Sequence, residues 1–140
     1  MAPVILSQGP IPKIEEARDR SNWFEAILLS AIHLERYGYF AIEEHLKSLR
    51  VKYRKKDLKN LHLASIGLFL LAIKRIDDND YRQILKVNGI RNKFMHRRDV
   101  YKFKPTIGPK AKEEYEPLVN EAIRILAEKL DAVRGYVFRG

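Results

Sequence analysis

A row of polar side chains in the second half of the 140-residue chain has the types needed for phosphate chemistry. Asn88, Asn92 and His96 are spaced four residues apart, so they lie along one line of a helix. Arg91 lies five residues before His96, about 140° round the same helix, and its long side chain can swing towards the same anion. Histidine exchanges a proton near neutral pH, and arginine binds phosphate oxygens through paired N–H groups. These types suit cleavage of a phosphodiester without a metal.

Three further cations adjoin the histidine. Lys93, Arg97 and Arg98 raise the local positive potential, which favours a bound phosphate and tends to keep His96 neutral, as a general base requires. The alternative is a purely structural role, because cations near the C-terminus of a helix interact favourably with the helix dipole. Both interpretations use the same residues, and the spacing alone does not separate them.

The basic excess of the chain is concentrated in two windows. The chain has 27 basic and 18 acidic residues, a net charge of +9. Residues 47–59 carry seven basic side chains against Asp57 alone, and residues 86–112 carry nine against Asp99 alone. The densest triplet is Arg54, Lys55 and Lys56. This distribution predicts a binding surface for a polyanion, with nucleic acid first and an anionic membrane second.

Other common kinds of site have no counterpart in the sequence. The absence of cysteine excludes a disulfide framework, a thiolate zinc site and a cysteine nucleophile. No glycine-rich phosphate loop or Gly-x-Ser-x-Gly motif occurs. His33, His45 and His62 have no histidine, aspartate or glutamate three or four residues away, where a helical pair of metal ligands would need one. We therefore predict no metal and no cofactor.

The apolar segments do not predict a membrane protein. The first ten residues have no basic lead and too short an apolar run for a signal peptide. The longest apolar run, Leu63 to Ile73, is far shorter than the roughly 20 residues that cross a bilayer. A soluble, cytoplasmic protein is expected.

Helical periodicity runs through nearly the whole chain. The spacing predicts helices over about residues 13–37, 39–51, 57–75 and 81–97, and a last helix that ends near Val133. Ile32 and Phe40 are among the apolar residues that mark the first two. Gly38 is expected to end the first helix, Asp80 to cap the fourth, and Pro117 either to kink the last or to mark its start. No alternating strand pattern is found.

Short connections between helices favour antiparallel neighbours. The sequence therefore predicts an all-α fold, an antiparallel helical bundle of about four to five helices. Residues 13–133 are expected to form a single helical domain. Residues 1–12 are expected to be a flexible lead and residues 134–140 a C-terminal tail.

A segment of six residues, Arg91 to His96, overlaps the polar row. It resembles the Arg-Asn-x-x-x-His motif of the HEPN superfamily (higher eukaryotes and prokaryotes nucleotide-binding domains), and here it reads Arg91-Asn92-Lys93-Phe94-Met95-His96. In that family the motif closes a helix late in a small helical bundle, and one more helix follows after a loop. The predicted helix order is similar over residues 13–133.

The resemblance implies an activity. Many HEPN proteins are metal-independent endoribonucleases in toxin–antitoxin or defence systems, and they act as dimers in which two motifs form one cleft. The ribose 2′-hydroxyl attacks the adjacent phosphate and leaves a 2′,3′-cyclic end. By this resemblance Arg91, Asn92 and His96 are catalytic. Lys93, Arg97 and Arg98 are expected to bind RNA, together with the triplet at 54–56.

The resemblance also implies a partner, a minimal nucleotidyltransferase that serves as antitoxin. In one branch of the family this antitoxin adenylylates a tyrosine two residues after the histidine, where this chain has Arg98. Two other interpretations remain open. The chain could be a non-catalytic HEPN module that binds RNA or a nucleotide for a partner enzyme, or a helical adaptor whose basic segments are incidental.

Overall fold

Six helices and two short strands make up the part of the chain that the computed structural model describes, residues 4–7, 9–96, 109–132 and 136–138. The helices are α1 (Pro10–Asp19), α2 (Trp23–Ser48), α3 (Lys55–Lys59), α4 (Leu63–Ala72), α5 (Asp78–His96) and α6 (Pro109–Glu128). The strands are β1 (Val4–Ser7) and β2 (Tyr136–Phe138). The predicted all-α helical bundle is confirmed, and the short helix α3 adds one helix to the expected number.

The longest helix, α2, is the element around which the bundle is built, and it packs against α1, α4, α5 and α6. Asn22 caps its N-terminus, because the Asn22 Oδ1 accepts a hydrogen bond from the backbone N–H of Glu25 at 3.2 Å. Trp23, Ile27 and Leu34 are buried along its length. Burial of apolar side chains of this size is the main free energy that favours folding.

The first predicted helix is in fact two helices, α1 and α2. The chain turns at Ser21, whose φ of 57° lies in the left-handed region. The N–H of Ser21 donates to the carbonyl of Arg18 at 2.9 Å, and the N–H of Asn22 donates to that of Ala17 at 2.8 Å. These two hydrogen bonds satisfy the last carbonyls of α1. The prediction missed this turn because it contains neither glycine nor proline.

Gly38 lies inside α2 and does not end a helix, so that prediction is wrong. A methyl group at Gly38 would lie 2.5 Å from Ile66 Cγ2 and 3.3 Å from Leu70 Cδ1, both on α4. The missing side chain therefore serves the close approach of α2 and α4, and not a turn.

Two further helix limits differ from the prediction. The predicted helix over residues 57–75 is divided into α3 and α4 because the backbone at His62 is extended. The cap of α5 is Asp77, not Asp80. The Asp77 carboxylate accepts a hydrogen bond from the N–H of Asp80 at 2.8 Å, and the Asp80 carboxylate accepts one from the N–H of Asp77 at 3.1 Å. This reciprocal pair satisfies two backbone N–H groups at the start of α5.

Two short strands accompany the helices, although the sequence has no alternating strand pattern. Strands β1 and β2 pair antiparallel, with Val4 opposite Phe138 and Ile5 opposite Val137. The pairing joins the predicted lead to the predicted tail. Segments of three and four residues are too short to show an alternating pattern in the sequence.

The last helix contains Pro117 in its interior and begins at Pro109, so Pro117 does not mark its start. This helix, α6, closes the bundle by packing against α1, α2 and α5. Within the described ranges, every helix is too short or too polar to cross a membrane.

Candidate functional site

Helix α5 carries the described part of the motif. Ile84, Val87 and Phe94 are buried and fix the helix against the bundle. Asn88 and Arg91 are half-buried beside this core face. Leu85, about one turn before Asn88 on the same helix, is exposed.

The guanidinium of Arg91 is held between two helices. Its Nη1 donates to Glu35 Oε2 on α2 at 3.0 Å, and its Nη2 donates to Asn88 Oδ1 at 2.8 Å. The Arg91 side chain is 20% exposed. A guanidinium held by a carboxylate and an amide in this way has a fixed position, because both contacts are charge-assisted hydrogen bonds.

The other predicted site residues lie in several places. Asn92 and Lys93 are exposed on α5. His96 is the last residue of α5, and its side chain lies outside the described part of the structure. Arg97 and Arg98 also lie outside the described residues. The structure thus brings Arg91 together with Asn88 and Glu35, and the relation between Arg91 and His96 stays a prediction.

A groove of about 370 Å³ lies beside Arg91. Its walls come from α2, α3, α4, α5 and the residues between α3 and α4. The lining is mainly apolar and aromatic with three cations and one carboxylate: Ile32, Glu35, Arg36, Tyr39, Phe40, Leu58, Lys59, Leu61, Ile66 and Arg91. The groove therefore combines an apolar surface with an excess of positive charge.

Five side chains of α2 in this groove were not among the predicted site residues. They are Ile32, Glu35, Arg36, Tyr39 and Phe40. The sequence analysis took Ile32 and Phe40 as apolar marks of two helices, but about half of each side chain is exposed, 51% and 50%. A signal was available, because Ile32, Arg36 and Phe40 are four residues apart and share one face of a continuous helix.

The first basic window reaches the groove through α3. Arg54, Lys55 and Lys56 are all exposed, as a contact surface for a polyanion requires. Arg54 is already bound by the carboxylate of Asp57, with distances of 3.0 and 3.1 Å from Nε and Nη2. Lys59, at the end of α3, lines the groove together with Arg91 from the second window. One basic residue of each window, Lys59 and Arg91, therefore lines the same groove.

A separate charged cluster lies at the start of α5 and is structural. Asp80 is fully buried and is hydrogen-bonded to the guanidinium of Arg124 on α6, and Lys129 Nζ lies 3.7 Å from its carboxylate. Burial alone would raise the pKa of Asp80, but the hydrogen bonds from Arg124 and from the N–H of Asp77 outweigh burial and lower it. The cluster ties α6 to α5.

Two further findings bear on the kind of site. Among the described residues, no group of three or more histidine, aspartate and glutamate side chains is arranged to hold a metal ion. Scans against protein-family models, curated proteins and solved structures found no match for this chain.

Proposed function

We propose that this chain is an endoribonuclease of the HEPN type that acts in the cytoplasm as a homodimer and serves as a toxin or defence effector. One observation carries the proposal. The arginine of the motif, Arg91, is fixed by Glu35 and Asn88 at the edge of a groove that Arg36 and Lys59 also line. An arginine in a fixed position, beside two cations that form no ion pair within the described residues, suits binding of a phosphodiester.

The bonds to Glu35 and Asn88 do not use all the N–H groups of Arg91. A guanidinium has five N–H groups, and these two hydrogen bonds use one N–H on each terminal nitrogen. The remaining N–H groups can donate to a phosphate oxygen. In the proposed reaction they bind the scissile phosphate and stabilise the charge that grows on its oxygens.

The proposed reaction is an internal transfer of the phosphate. The 2′-oxygen of the ribose forms a bond to phosphorus as the bond from phosphorus to the 5′-oxygen breaks. One proton leaves the 2′-hydroxyl and one is delivered to the departing 5′-oxygen. His96 acts as general base or general acid in these steps, and Asn92 orients it. The products are a 2′,3′-cyclic phosphate and a 5′-hydroxyl.

The proposed site needs two copies of the chain. Arg91 and His96 are five residues apart, about 140° round a helix, so their positions lie on different faces of α5. A twofold axis near the end of α5 would place the histidine of one copy beside the arginine of the other. The nucleotidyltransferase-type antitoxin that the family resemblance implies would be a further partner of this dimer.

The test is cleavage of single-stranded RNA in EDTA by purified wild-type and variant proteins. His96→Ala should lower the cleavage rate about 10²–10⁴-fold, the usual contribution of a positioned acid–base group, and should leave RNA binding within a few-fold. Arg91→Ala should weaken both, because arginine would hold the phosphate before and during the reaction. Products should end in a 2′,3′-cyclic phosphate, and a 2′-deoxyribose at the cleavage site should prevent the reaction.

A matched control is His45→Ala, since His45 also lies on a helix but does not line the groove. It should cleave RNA like the wild type. If His96→Ala cleaves as fast as His45→Ala, the activity does not depend on the motif and the proposal is wrong.

The ion pair of Arg91 also favours a second candidate, a module that binds RNA without cleaving it. Glu35 already neutralises part of the charge on Arg91, and a neutralised guanidinium stabilises a growing negative charge less. This candidate predicts salt-sensitive RNA binding with no products from wild-type protein under any of the conditions above.

A further inference from the structure

The groove beside Arg91 contains an aromatic ring that the proposed cleavage chemistry does not use. Phe40 is 50% exposed. Its ring centroid lies 5.9 Å from that of Tyr37 and 5.8 Å from that of Tyr39, and both contacts are edge-to-face. Such contacts favour a defined ring orientation. Phe40 is therefore an exposed aromatic surface that its neighbours hold in place.

The groove has the size of a small-ligand site. Its volume of about 370 Å³ is at the lower end of the range for such sites. Leu58 and Ile66 form a buried apolar floor, and Tyr39 and Phe40 also line the groove. An apolar floor with an aromatic wall suits the flat face of a nucleobase, which stacks on aromatic side chains in proteins that bind unpaired RNA.

The charges around the groove select an anionic occupant. Arg36 and Lys59 form no ion pair with any other residue that the structure describes, and Arg91 has N–H groups to spare. Glu35 is the single carboxylate of the lining and is committed to Arg91. A nucleotide supplies both parts of the match, since its base is flat and apolar on its faces and its phosphates are negative.

We infer that this groove is a subsite for one unstacked base of single-stranded RNA, with Phe40 as the surface on which the base stacks. The inference rests on the proposed function and adds the class of substrate. Because Arg91 lines the same groove, the bound base belongs to a nucleotide next to the scissile phosphate. Bases in duplex RNA are already stacked and paired, so duplex RNA would not fill the groove.

The experiment measures binding of a single-stranded 2′-O-methyl RNA, which cannot be cleaved through its 2′-oxygen. The strand contains 2-aminopurine, a base whose fluorescence falls when it stacks. Wild-type protein should bind this strand and quench it. Phe40→Ala should weaken binding about 5- to 150-fold, the range for loss of one base–aromatic stack, and should abolish the quenching. Phe40→Trp should retain both. A duplex of the same sequence should bind the wild type and Phe40→Ala within about twofold of each other.

The matched control is Leu68→Ala, which removes a similarly exposed apolar side chain, 55% exposed, that does not line the groove. It should bind like the wild type. The inference is wrong if Phe40→Ala behaves like Leu68→Ala, or if Phe40→Ala weakens binding of duplex and single-stranded RNA equally. It is also wrong if wild-type protein binds neither of the two RNAs.

Light scattering tests whether a second copy of the chain occupies the groove instead. Phe40→Ala could lower the mass of the protein in solution, and its loss of RNA affinity could disappear when variant and wild type are compared at equal dimer concentration. In that case the groove is a protein interface and the inference is wrong. Cleavage of unmodified RNA is measured separately. Quenching without any cleavage supports the base subsite and contradicts the ribonuclease proposal. Cleavage that is independent of Phe40 supports the ribonuclease proposal and contradicts the base subsite.

Discussion

Three helical glycines form a graded series for testing how closely the helices pack. A methyl group on Gly38 would lie 2.5 Å from Ile66 Cγ2. One on Gly67 would lie 3.2 Å from Ile84 Cγ2 and 3.2 Å from Tyr81 Cδ1. One on Gly89 would have no atom within 4 Å. The same substitution, glycine to alanine, therefore meets a short contact, a tight contact and open space.

Two opposing terms set the expected changes in the free energy of unfolding. Replacing glycine by alanine inside a helix gains about 1 kcal/mol from helix propensity. Forcing a methyl group into a packed contact costs about 1–3 kcal/mol. The Gly38 contact is about 1 Å shorter than the roughly 3.5 Å at which two carbon atoms attract best, so the cost there lies at the upper end.

We therefore expect Gly89→Ala to stabilise the protein by about 1 kcal/mol and Gly67→Ala to change the stability by less than about 1 kcal/mol. Gly38→Ala should destabilise it by about 1–2 kcal/mol. Urea unfolding followed by circular dichroism measures all three, and an unchanged m-value shows that only the stability has changed. Gly89→Ala is the matched control, because it has the same propensity gain without the contact. If Gly38→Ala proves as stable as Gly89→Ala, α2 and α4 do not approach as closely as the structure indicates.

Two further predictions concern charged groups. Asp80→Asn should destabilise the fold by about 3 kcal/mol, near the lower end for breaking a buried ion pair, because the arginine partner is 31% exposed. Because the pKa of Asp80 is lowered, its stabilising contribution is present above about pH 4 and is lost as the pH falls through the folded-state pKa. Urea unfolding between pH 7 and pH 2 should therefore show a smaller loss of stability on acidification for Asp80→Asn than for the wild type. Replacing the basic triplet by serine should weaken RNA binding and reduce its salt dependence without loss of folding. Within the triplet of Arg54, Lys55 and Lys56, Lys55→Ser should weaken RNA binding more than Arg54→Ser, because Asp57 already binds Arg54. If all of these variants bind RNA as tightly as the wild type, the triplet does not contact RNA.

The regular part of the fold could be predicted from the sequence because each of the longer helices buries an apolar face with a regular spacing. The residues at which the helices begin and end could not be predicted in the same way. The turn at Ser21 is closed by backbone hydrogen bonds to Ala17 and Arg18, and it contains neither glycine nor proline. The opposite error occurred at Gly38, where a residue that commonly ends helices lies within one. Whether a glycine serves a turn or a close contact depends on Ile66, which is distant in sequence.

The candidate site was predictable only where it lies on one helix. Asn88 and Arg91 are three residues apart, and they are hydrogen-bonded to each other. Glu35 comes from α2, 56 residues earlier, and nothing in the local pattern connects it to Arg91. The error at Gly38 also concealed the groove. Once a helix end is placed there, Ile32 and Phe40 belong to two helices and no longer share a face.

Gly38 connects the packing of the bundle to the proposed RNA site. It precedes Tyr39 and Phe40 in α2, and the atom that a methyl group at Gly38 would strike belongs to Ile66, which forms part of the floor of the groove. The distance between α2 and α4 therefore sets both the stability of the bundle and the depth of the groove. Gly89 lies two residues from Arg91, but it has open space around it, so a methyl group there leaves the groove unchanged. If the groove binds a base as inferred, loss of stability and loss of RNA binding should occur together in Gly38→Ala and should both be absent in Gly89→Ala.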